Sequence, residues 1–130
     1  YGSAPHVDFG CITLLTQDQG GLQVQGPAGD WLHVPPVPNT FVMNVGTMLS
    51  RWSNGVLRST AHRVINESGR SRFSVAFFYD PHMNTEVAPL ESCVSKDHPL
   101  CFEPVVYRDF VHDQLQATYI HHQLHDGQDT

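Results

Sequence analysis

Two histidines and one aspartate offer metal ligands at an informative spacing. His6 and Asp8 open one apolar run, and His62 opens another much further along the chain. Residues two apart on a β-strand share a face, so the side chains of His6 and Asp8 are expected to point the same way. An imidazole from a neighbouring strand completes a facial set of two histidines and one carboxylate. Such a set holds Fe(II) from one side and leaves positions open for substrate and oxygen, so His6, Asp8 and His62 predict a non-haem iron oxygenase, as metal ligands and catalytic residues.

Arg72 and Ser74 form a second candidate site. Strand alternation puts both side chains on one face, opposite Phe73. A guanidinium that faces the inside of a barrel is costly to bury unless an anion meets it. Its planar fork suits a carboxylate, and the nearby hydroxyl can donate a further bond. The pair therefore predicts an anchor for the distal carboxylate of an oxo-acid that chelates the iron; an exposed arginine on an edge strand is the alternative.

Short β-like runs separated by turn residues must position these groups. The alternation and the turn residues predict strands over 7–15, 22–25, 31–34, 40–45, 61–66 and 72–79. The chain then becomes irregular, and a rough helical stripe predicts a helix over 105–119. His121, His122 and His125 follow in a polar end that we expect to be solvated or frayed. Many short strands with Gly/Pro turns indicate a double-sheet jelly roll or a small barrel. We expect a catalytic core over 1–110, followed by a helix end and tail over 111–130.

The composition excludes several classes of protein. The 130 residues suffice for one domain, with 40% apolar and 15% charged residues, as in an ordinary globular protein. A formal charge of −6 argues against nucleic acid or an anionic membrane as a partner, because both require a basic surface. The longest apolar stretches are far shorter than a membrane span. Three cysteines without a Cys-x-x-Cys pair disfavour a disulfide scaffold, so a reducing, cytoplasmic location is expected.

Taken together, these segments resemble the iron(II)- and 2-oxoglutarate-dependent oxygenases, in the isopenicillin N synthase-like branch. The resemblance covers nearly all of residues 1–110, in the family's order and spacing. The matching stretches are His6-Val7-Asp8-Phe9-Gly10, Thr13-Leu14-Leu15, Gln17-Asp18, Gly21-Leu22-Gln23-Val24, Trp31, Val34-Pro35-Pro36-Val37-Pro38, Asn44-Val45-Gly46, Trp52-Ser53-Asn54-Gly55, Ser59-Thr60-Ala61-His62-Arg63-Val64 and Arg72-Phe73-Ser74 through Pro81.

The resemblance implies a mostly β fold, a double-stranded β-helix (jelly roll) with a short C-terminal helix. It implies that His6, Asp8 and His62 bind Fe(II), and that Arg72 and Ser74 bind the distal carboxylate of 2-oxoglutarate. The co-substrate would take two of the three open positions and dioxygen the third. The implied reaction hydroxylates or desaturates a small organic molecule while 2-oxoglutarate becomes succinate and carbon dioxide. The metal supplies the redox chemistry, and the protein supplies positioning and excludes water.

Two features depart from the family pattern. The family often has Gly-Asp where this chain has Gly46-Thr47, so altered surroundings of the metal site are expected. Members also usually carry a substantial region before the His-x-Asp strand, whereas five residues precede His6 here. We therefore expect a missing N-terminal region or self-association, because Val7 and Phe9 would otherwise face water beside an open sheet edge.

Two other functions stay open on the sequence alone. One is an iron oxidase of the same branch that does not use 2-oxoglutarate, since such relatives can keep Arg72 and Ser74 for a substrate carboxylate. The other is a non-catalytic, metal-binding jelly-roll fragment. Succinate release coupled to turnover separates the first alternative from the leading hypothesis. The substrate is not identified; its contacts are expected at Phe78, Tyr79 and residues 81–89.

Overall fold

A computed structural model describes residues 2–66 and 68–126, with side chains described as far as residue 117. Short strands dominate this part of the chain, as the sequence predicts. The strands are β1 (Ser3–His6), β2 (Ile12–Gln17), β3 (Leu22–Gln25), β4 (Trp31–His33), β5 (Val42–Val45), β6 (His62–Val64), β7 (Ser74–Tyr79), β8 (Glu86–Val87) and β9 (Val105–Val106). The helices are α1 (Thr47–Trp52) and α2 (Tyr107–Asp126), with one 3-10 turn over Glu91–Cys93.

The strands form two main antiparallel sheets. One has four strands in the order β1-β6-β3-β4, and the other has three in the order β5-β2-β7; β8 and β9 pair separately. The predicted single strand over 7–15 is wrong, because β1 and β2 belong to different sheets and a loop crosses between them. The loop is held by other elements: Cys11 N–H donates to Tyr79 O at 3.1 Å, and Gly46 N–H donates to Cys11 O at 2.8 Å.

Helix α1, which the sequence analysis did not predict, packs its first residues against this crossing loop. Thr47 N–H donates to Asp8 O at 2.8 Å, and Met48 N–H donates to Gly10 O at 2.9 Å. A Cβ at Gly46 would overlap the backbone oxygen of Gly10, so only glycine permits this close approach. The helix start therefore fixes the loop that carries Asp8.

The hydrophobic core lies where α1, the β8–β9 pair and α2 meet. Its buried members are Cys11, Met48, Val87 and Tyr107. Cys11 is buried and lies in the crossing loop. The core thus supports the loop after β1 from behind.

Helix α2 begins two residues later than predicted, because Val105–Val106 pairs with Glu86–Val87. Its backbone is helical as far as Asp126, beyond the predicted end at residue 119, and the expectation that this polar end is solvated stays a prediction. The side chains of His121, His122 and His125 lie outside the described residues. Within the described part of the chain, no helix combines the length and the apolar character that crossing a membrane requires.

The three-stranded sheet has an exposed apolar side. Its register places Leu14 opposite both Met43 and Phe77, so the three side chains form one row. Met43 is 62% exposed and Phe77 is 61% exposed, and Val75 on the same side is 67% exposed. We call this side the outer face, defined by Leu14, Met43, Val75 and Phe77. Apolar side chains in such a contiguous exposed patch indicate a surface that contacts something other than water.

Val7 and Phe9 are not the exposed apolar residues that the sequence analysis expected. Both are half-buried. The ring of Phe9 packs edge-on against Phe110 of α2, with 6.0 Å between the ring centroids. The expectation for these two residues is wrong because α2, which is distant in sequence, covers the crossing loop.

Candidate metal centre

Three predicted ligands converge between the two main sheets. His6 ends β1 and His62 opens β6, and the two residues are direct partners across this antiparallel pair. Their rings lie side by side, with centroids 4.2 Å apart. Asp8 follows two residues after the end of β1, in the crossing loop. The structure therefore brings the three together, although Asp8 does not lie on the strand that carries His6.

The ligand atoms face one another closely. Nε2 of His6 and Nε2 of His62 each lie 3.6 Å from Oδ1 of Asp8. One ligand atom from each of the three residues fits within 4.8 Å of the other two. Asp8 and His62 are buried, whereas the His6 side chain is 45% exposed. The cluster is thus closed on the protein side and open on the side of His6.

Backbone carbonyls orient both imidazoles. Nδ1 of His6 lies 2.7 Å from Ala4 O, and Nδ1 of His62 lies 3.3 Å from Thr60 O. A carbonyl can only accept, so each Nδ1 carries a hydrogen, and Nε2 is the ring nitrogen that faces Asp8. Metal-bound histidines are held in this way by hydrogen bonds from the other ring nitrogen.

Asp8 is held so that a single oxygen faces the histidines. Its Oδ2 accepts hydrogen bonds from the hydroxyl of Thr13 and, at 2.8 Å, from Nδ2 of Asn44. Oδ1 is the atom that faces the two imidazoles. The sequence analysis missed both donors, although alternation on β2 and β5 would have placed Thr13 and Asn44 on the side facing Asp8.

Thr47 is where the sequence departs from the family pattern, and it contacts the site. Its hydroxyl donates to the backbone oxygen of Asp8 at 3.0 Å, beside the bond from its own N–H. The threonine therefore fixes the backbone of the aspartate and leaves its carboxylate to other donors. The predicted change in the surroundings of the metal site is therefore found at Thr47.

The donor set fits Fe(II). Two imidazole nitrogens and one carboxylate oxygen lie together on one side of the site, which is the two-histidine, one-carboxylate arrangement of non-haem iron sites. The exposed edge at His6 leaves room for other ligands. Hydrogen bonds donated by the two Nδ1 atoms and accepted by Oδ2 hold the three side chains in this arrangement.

The predicted anion anchor is also assembled. Nη1 of Arg72 donates to Ser74 Oγ at 3.0 Å, and Nη2 donates to Gln17 Oε1 at 2.9 Å. Nε donates to the backbone oxygen of Gly20 at 3.0 Å. Arg72 lies just before β7, which begins at Ser74, and not inside the strand as predicted. Gln17, which the sequence analysis missed, pairs with Ser74 across the sheet.

Both sites share one side of the three-stranded sheet. We call it the inner face, defined by Thr13, Gln17, Asn44, Ser74 and Phe78. Thr13, Asn44 and Phe78 form the row beside Asp8, and Gln17 and Ser74 form the row beside Arg72. The row between them consists of Leu15, Val42 and Ala76. The three candidate metal ligands and the Arg72–Ser74 pair are therefore two rows apart along β2.

A cavity of about 940 Å³ opens beside the three candidate metal ligands. Its volume is within the usual range for ligand sites. Phe78, an expected substrate contact, lines it, whereas Tyr79 points to the opposite side of β7 and no residue of 81–89 lines it. The contributions of Asp80 and of α2 were missed, because they depend on how the helix packs. The lining consists of His6, Val7, Asp8, Phe9, Gly10, Thr47, Phe78, Asp80, Tyr107, Phe110, Val111, Gln114 and Leu115.

Comparison with known families decides the ancestry of this arrangement. The sequence profile of the 2OG-Fe(II) oxygenase superfamily matches residues 1–81, which is more than half of the chain. The chain belongs to this superfamily. The predicted family is thereby confirmed, and so is the jelly-roll fold that the chain shares with its structural neighbours.

Relatives of this chain include proteins that are named as hydroxylases. Homoarginine-6-hydroxylase 2-ODD-233 of Oryza sativa subsp. japonica is 38% identical over 122 residues, which are 92% of this chain and 37% of the relative. Homoarginine-6-hydroxylase 2-ODD-C23.1 of Arabidopsis thaliana is 45% identical over 126 residues, 91% of this chain and 38% of the relative. The chain thus spans well under half the length of these relatives.

Solved structures share the fold of this chain. The rice dioxygenase for auxin oxidation superposes with a TM-score of 0.84 at 34% identity, covering 89% of this chain and 40% of that one. A full-length Neurospora crassa protein, in a crystal structure with alpha-KG and thymine, superposes with a TM-score of 0.82 at 34% identity, covering 90% of this chain and 37% of that one.

Proposed function

We propose that this protein is an Fe(II)- and 2-oxoglutarate-dependent dioxygenase that hydroxylates or desaturates a small organic molecule. The observation that carries the proposal is the convergence of both Nε2 atoms on Oδ1 of Asp8, each at 3.6 Å. Bound Fe(II), with 2-oxoglutarate and dioxygen, would supply the oxidation of a substrate C–H bond as 2-oxoglutarate becomes succinate and carbon dioxide. The residues of this chain would bind, orient and shield the reactants.

His6, Asp8 and His62 are proposed as the metal ligands. The hydrogen bonds from the imidazoles to Ala4 O and Thr60 O fix the orientation of each ring, so that Nε2 is the nitrogen offered to the metal. Asp8 supplies the one anionic ligand. Its orientation by Thr13 and Asn44 favours coordination through one oxygen, which preserves open positions for the co-substrate and dioxygen.

Arg72 and Ser74 are proposed to bind the distal carboxylate of 2-oxoglutarate. A carboxylate arriving here would accept from the guanidinium and from the Ser74 hydroxyl, and Gln17 keeps the guanidinium oriented. The carbon chain of the co-substrate would cross the intervening row that contains Leu15. This small apolar row suits methylene groups, and its position between the two sites supports the assignment.

The substrate is proposed to occupy the cavity beside His6 and Asp8. The relatives act on different molecules by their names: homoarginine for several plant hydroxylases, feruloyl CoA for another, and auxin for the rice dioxygenase. Family membership therefore supports a small-molecule substrate for this chain without selecting one.

We also propose that the outer face is covered in the working protein. Met43, Val75 and Phe77 are each more than half exposed, and the edge of β7 carries no neighbouring strand among the described residues. Further polypeptide of the same protein or a second copy of the chain would remove these apolar groups from water.

Two measurements test the proposed function. Isothermal titration should give one divalent metal per chain, and Asp8→Ala should abolish tight binding while the exposed control Asp97→Ala keeps it. With Fe(II), 2-oxoglutarate and air, NMR should then detect succinate. Unchanged metal stoichiometry in Asp8→Ala would contradict the metal site. Oxygen uptake without succinate formation would favour the 2-oxoglutarate-independent oxidase. Metal binding with neither oxygen uptake nor succinate formation would favour a non-catalytic jelly roll.

A further inference from the structure

The cavity beside the candidate metal ligands is lined by acidic side chains. Two carboxylates line it, Asp8 at the metal cluster and Asp80 at the end of β7. Among the described residues, none of those lining the cavity is a lysine or an arginine. Oδ1 of Asp8 faces the two histidines, and Oδ2 accepts hydrogen bonds from Thr13 and Asn44. Both oxygens of this carboxylate therefore already have partners. Asp80 is therefore the acidic group of this cavity that the proposed metal chemistry does not use.

Asp80 is held in place and remains exposed. The phenol of Tyr107, at the start of α2, lies beside its carboxylate in the lining of the cavity. A Cβ at Gly10 would overlap Oδ1 of Asp80, so the glycine makes room for the carboxylate directly above the crossing loop. Burial, and then the neighbouring Asp80, raise the pKa of Tyr107 to about 12, so the phenol stays a donor. One donor leaves the carboxylate with capacity to accept from a ligand.

Aromatic rings form the adjoining wall. Phe9, Phe78 and Phe110 all line the cavity, and Phe9 meets Phe110 edge-on with 6.0 Å between centroids. Ring faces attract organic cations, and the attraction grows as water is excluded. A carboxylate beside several rings is thus a binding site for a cation that carries an apolar stem.

We propose that Asp80 selects an organic cation, an alkyl ammonium or guanidinium compound, as the substrate of this cavity. The proposal rests on the proposed function, since the bond to be oxidised must lie towards His6 and Asp8. Phe78 belongs to the row that holds Asp8, and Asp80 follows two residues later, roughly 7 Å along an extended chain. The cationic head would pair with Asp80 while the stem packs on the rings, which places the oxidised carbon several bonds from the charge.

Binding of three matched probes tests this inference without turnover. Hexylguanidinium, 1-hexanol and hexanoate share an alkyl chain and differ in the charge of the head group. Each is titrated into the Zn(II)-loaded chain with 2-oxoglutarate, with isothermal titration as the readout. Wild type should bind hexylguanidinium at least about tenfold more tightly than 1-hexanol, because a hydrogen bond to a charged group is worth about 1.5–3 kcal/mol.

Variants assign the preference to one residue. Asp80→Asn keeps the shape and an acceptor for Tyr107, and it should reduce the affinity for hexylguanidinium about tenfold or more while leaving 1-hexanol unchanged. Asp80→Glu keeps the charge and should retain the preference. Asp109→Asn, an exposed acid of α2 outside the cavity, is the matched control and should bind as wild type.

The outcomes separate the two proposals. Equal affinity of wild type and Asp80→Asn for hexylguanidinium, or tighter binding of hexanoate than of hexylguanidinium, would overturn the role of Asp80. Titration of Zn(II), and then of 2-oxoglutarate, into the same proteins in metal-free form and without probe tests the proposed function. Loss of those two binding events with the cation preference intact would contradict the dioxygenase and leave the cation site standing.

Discussion

Asn44 donates a hydrogen bond from Nδ2 to Oδ2 of Asp8 at 2.8 Å, across 36 residues of sequence. The bond joins β5 of one sheet to the loop that leaves β1 of the other. With Thr13 on the same oxygen, it turns Oδ1 towards the two imidazoles. The position of the proposed metal ligand thus depends on packing between the sheets.

Removal of either donor to Asp8 is expected to weaken metal binding. Thr13→Val or Asn44→Ala leaves Oδ2 with one of its two donors and loosens the carboxylate, so metal affinity should fall roughly 10- to 100-fold, as for other supporting hydrogen bonds at metal sites. Titration with Mn(II) or Co(II) measures it. Thr16→Val is the matched control, because Thr16 is exposed on the opposite side of β2. Affinities that match wild type in both variants would show that Asp8 needs no such support.

Arg72→Leu is expected to weaken 2-oxoglutarate binding while the metal still binds. Loss of one partner of a charge-assisted pair costs about 2–5 kcal/mol, which corresponds to on the order of a hundredfold in affinity. Lysine should rescue only partly, since it lacks the planar fork that also reaches Ser74 and Gln17. Calorimetry on the metal-loaded protein measures both constants, with exposed Arg70→Leu as control. Indifference of 2-oxoglutarate affinity to Arg72→Leu would assign the arginine a structural role.

Asn54→Ala is expected to destabilise the fold strongly. The fully buried side chain donates to Cys93 O and Pro99 O and accepts from Cys101 N–H, so alanine removes three hydrogen bonds to the backbone. We expect a loss of about 3–5 kcal/mol of unfolding free energy. Its φ of 53° also disfavours alanine. Asn39→Ala is the control, because Asn39 has a φ of 60° but is exposed, so it should cost only about 1–2 kcal/mol. Chemical denaturation measures both, and equal losses would mean that backbone strain alone matters.

Stability is expected to fall in alkaline solution through Tyr107. Burial and the neighbouring Asp80 raise its pKa from 10.0 to about 12 in the folded protein. The unfolded chain therefore loses this proton first, and between about pH 10 and pH 12 the unfolding free energy should drop by up to about 1.4 kcal/mol per pH unit. Burial also raises the pKa of Cys11, which acts in the same direction. Denaturation at stepped pH should show a shallower decline in Tyr107→Phe. The exposed Tyr79→Phe should decline as wild type, and a Tyr107→Phe curve parallel to wild type would contradict the assignment.

The outer face is expected to cause self-association of residues 1–130 when no other polypeptide covers it. Met43 and Phe77 lie in one exposed row, so burying them between two copies removes apolar area from water. Light scattering after size exclusion should detect dimers or larger species, and Met43→Ser with Phe77→Ser should shift them towards monomer. Leu100→Ser, an exposed leucine outside the sheets, should not. A clean monomer of the wild-type chain at high concentration would contradict this expectation.

Local patterns explain why much of the architecture was predictable. Alternating apolar residues and Gly/Pro turns indicate short strands, and most predicted strands lie within a few residues of β2 to β7. The prediction for 7–15 was wrong because the crossing between sheets is enforced by contacts from Gly46 and Tyr79, which are distant in sequence. Helix α1 was missed because six residues are too few to show a helical period.

The sequence by itself determined the family and the mostly β fold, because residue type and spacing are local properties. For the same reason it determined the candidate site residues, which are His6, Asp8, His62, Arg72 and Ser74. Only the tertiary structure decided which oxygen of Asp8 faces the imidazoles, that Gln17 orients Arg72, and that Asp80 and α2 complete the cavity. Each of those contacts joins segments far apart in the chain. Strand alternation restricts a side chain to one face, but only the packing of sheets and helix determines what that side chain meets.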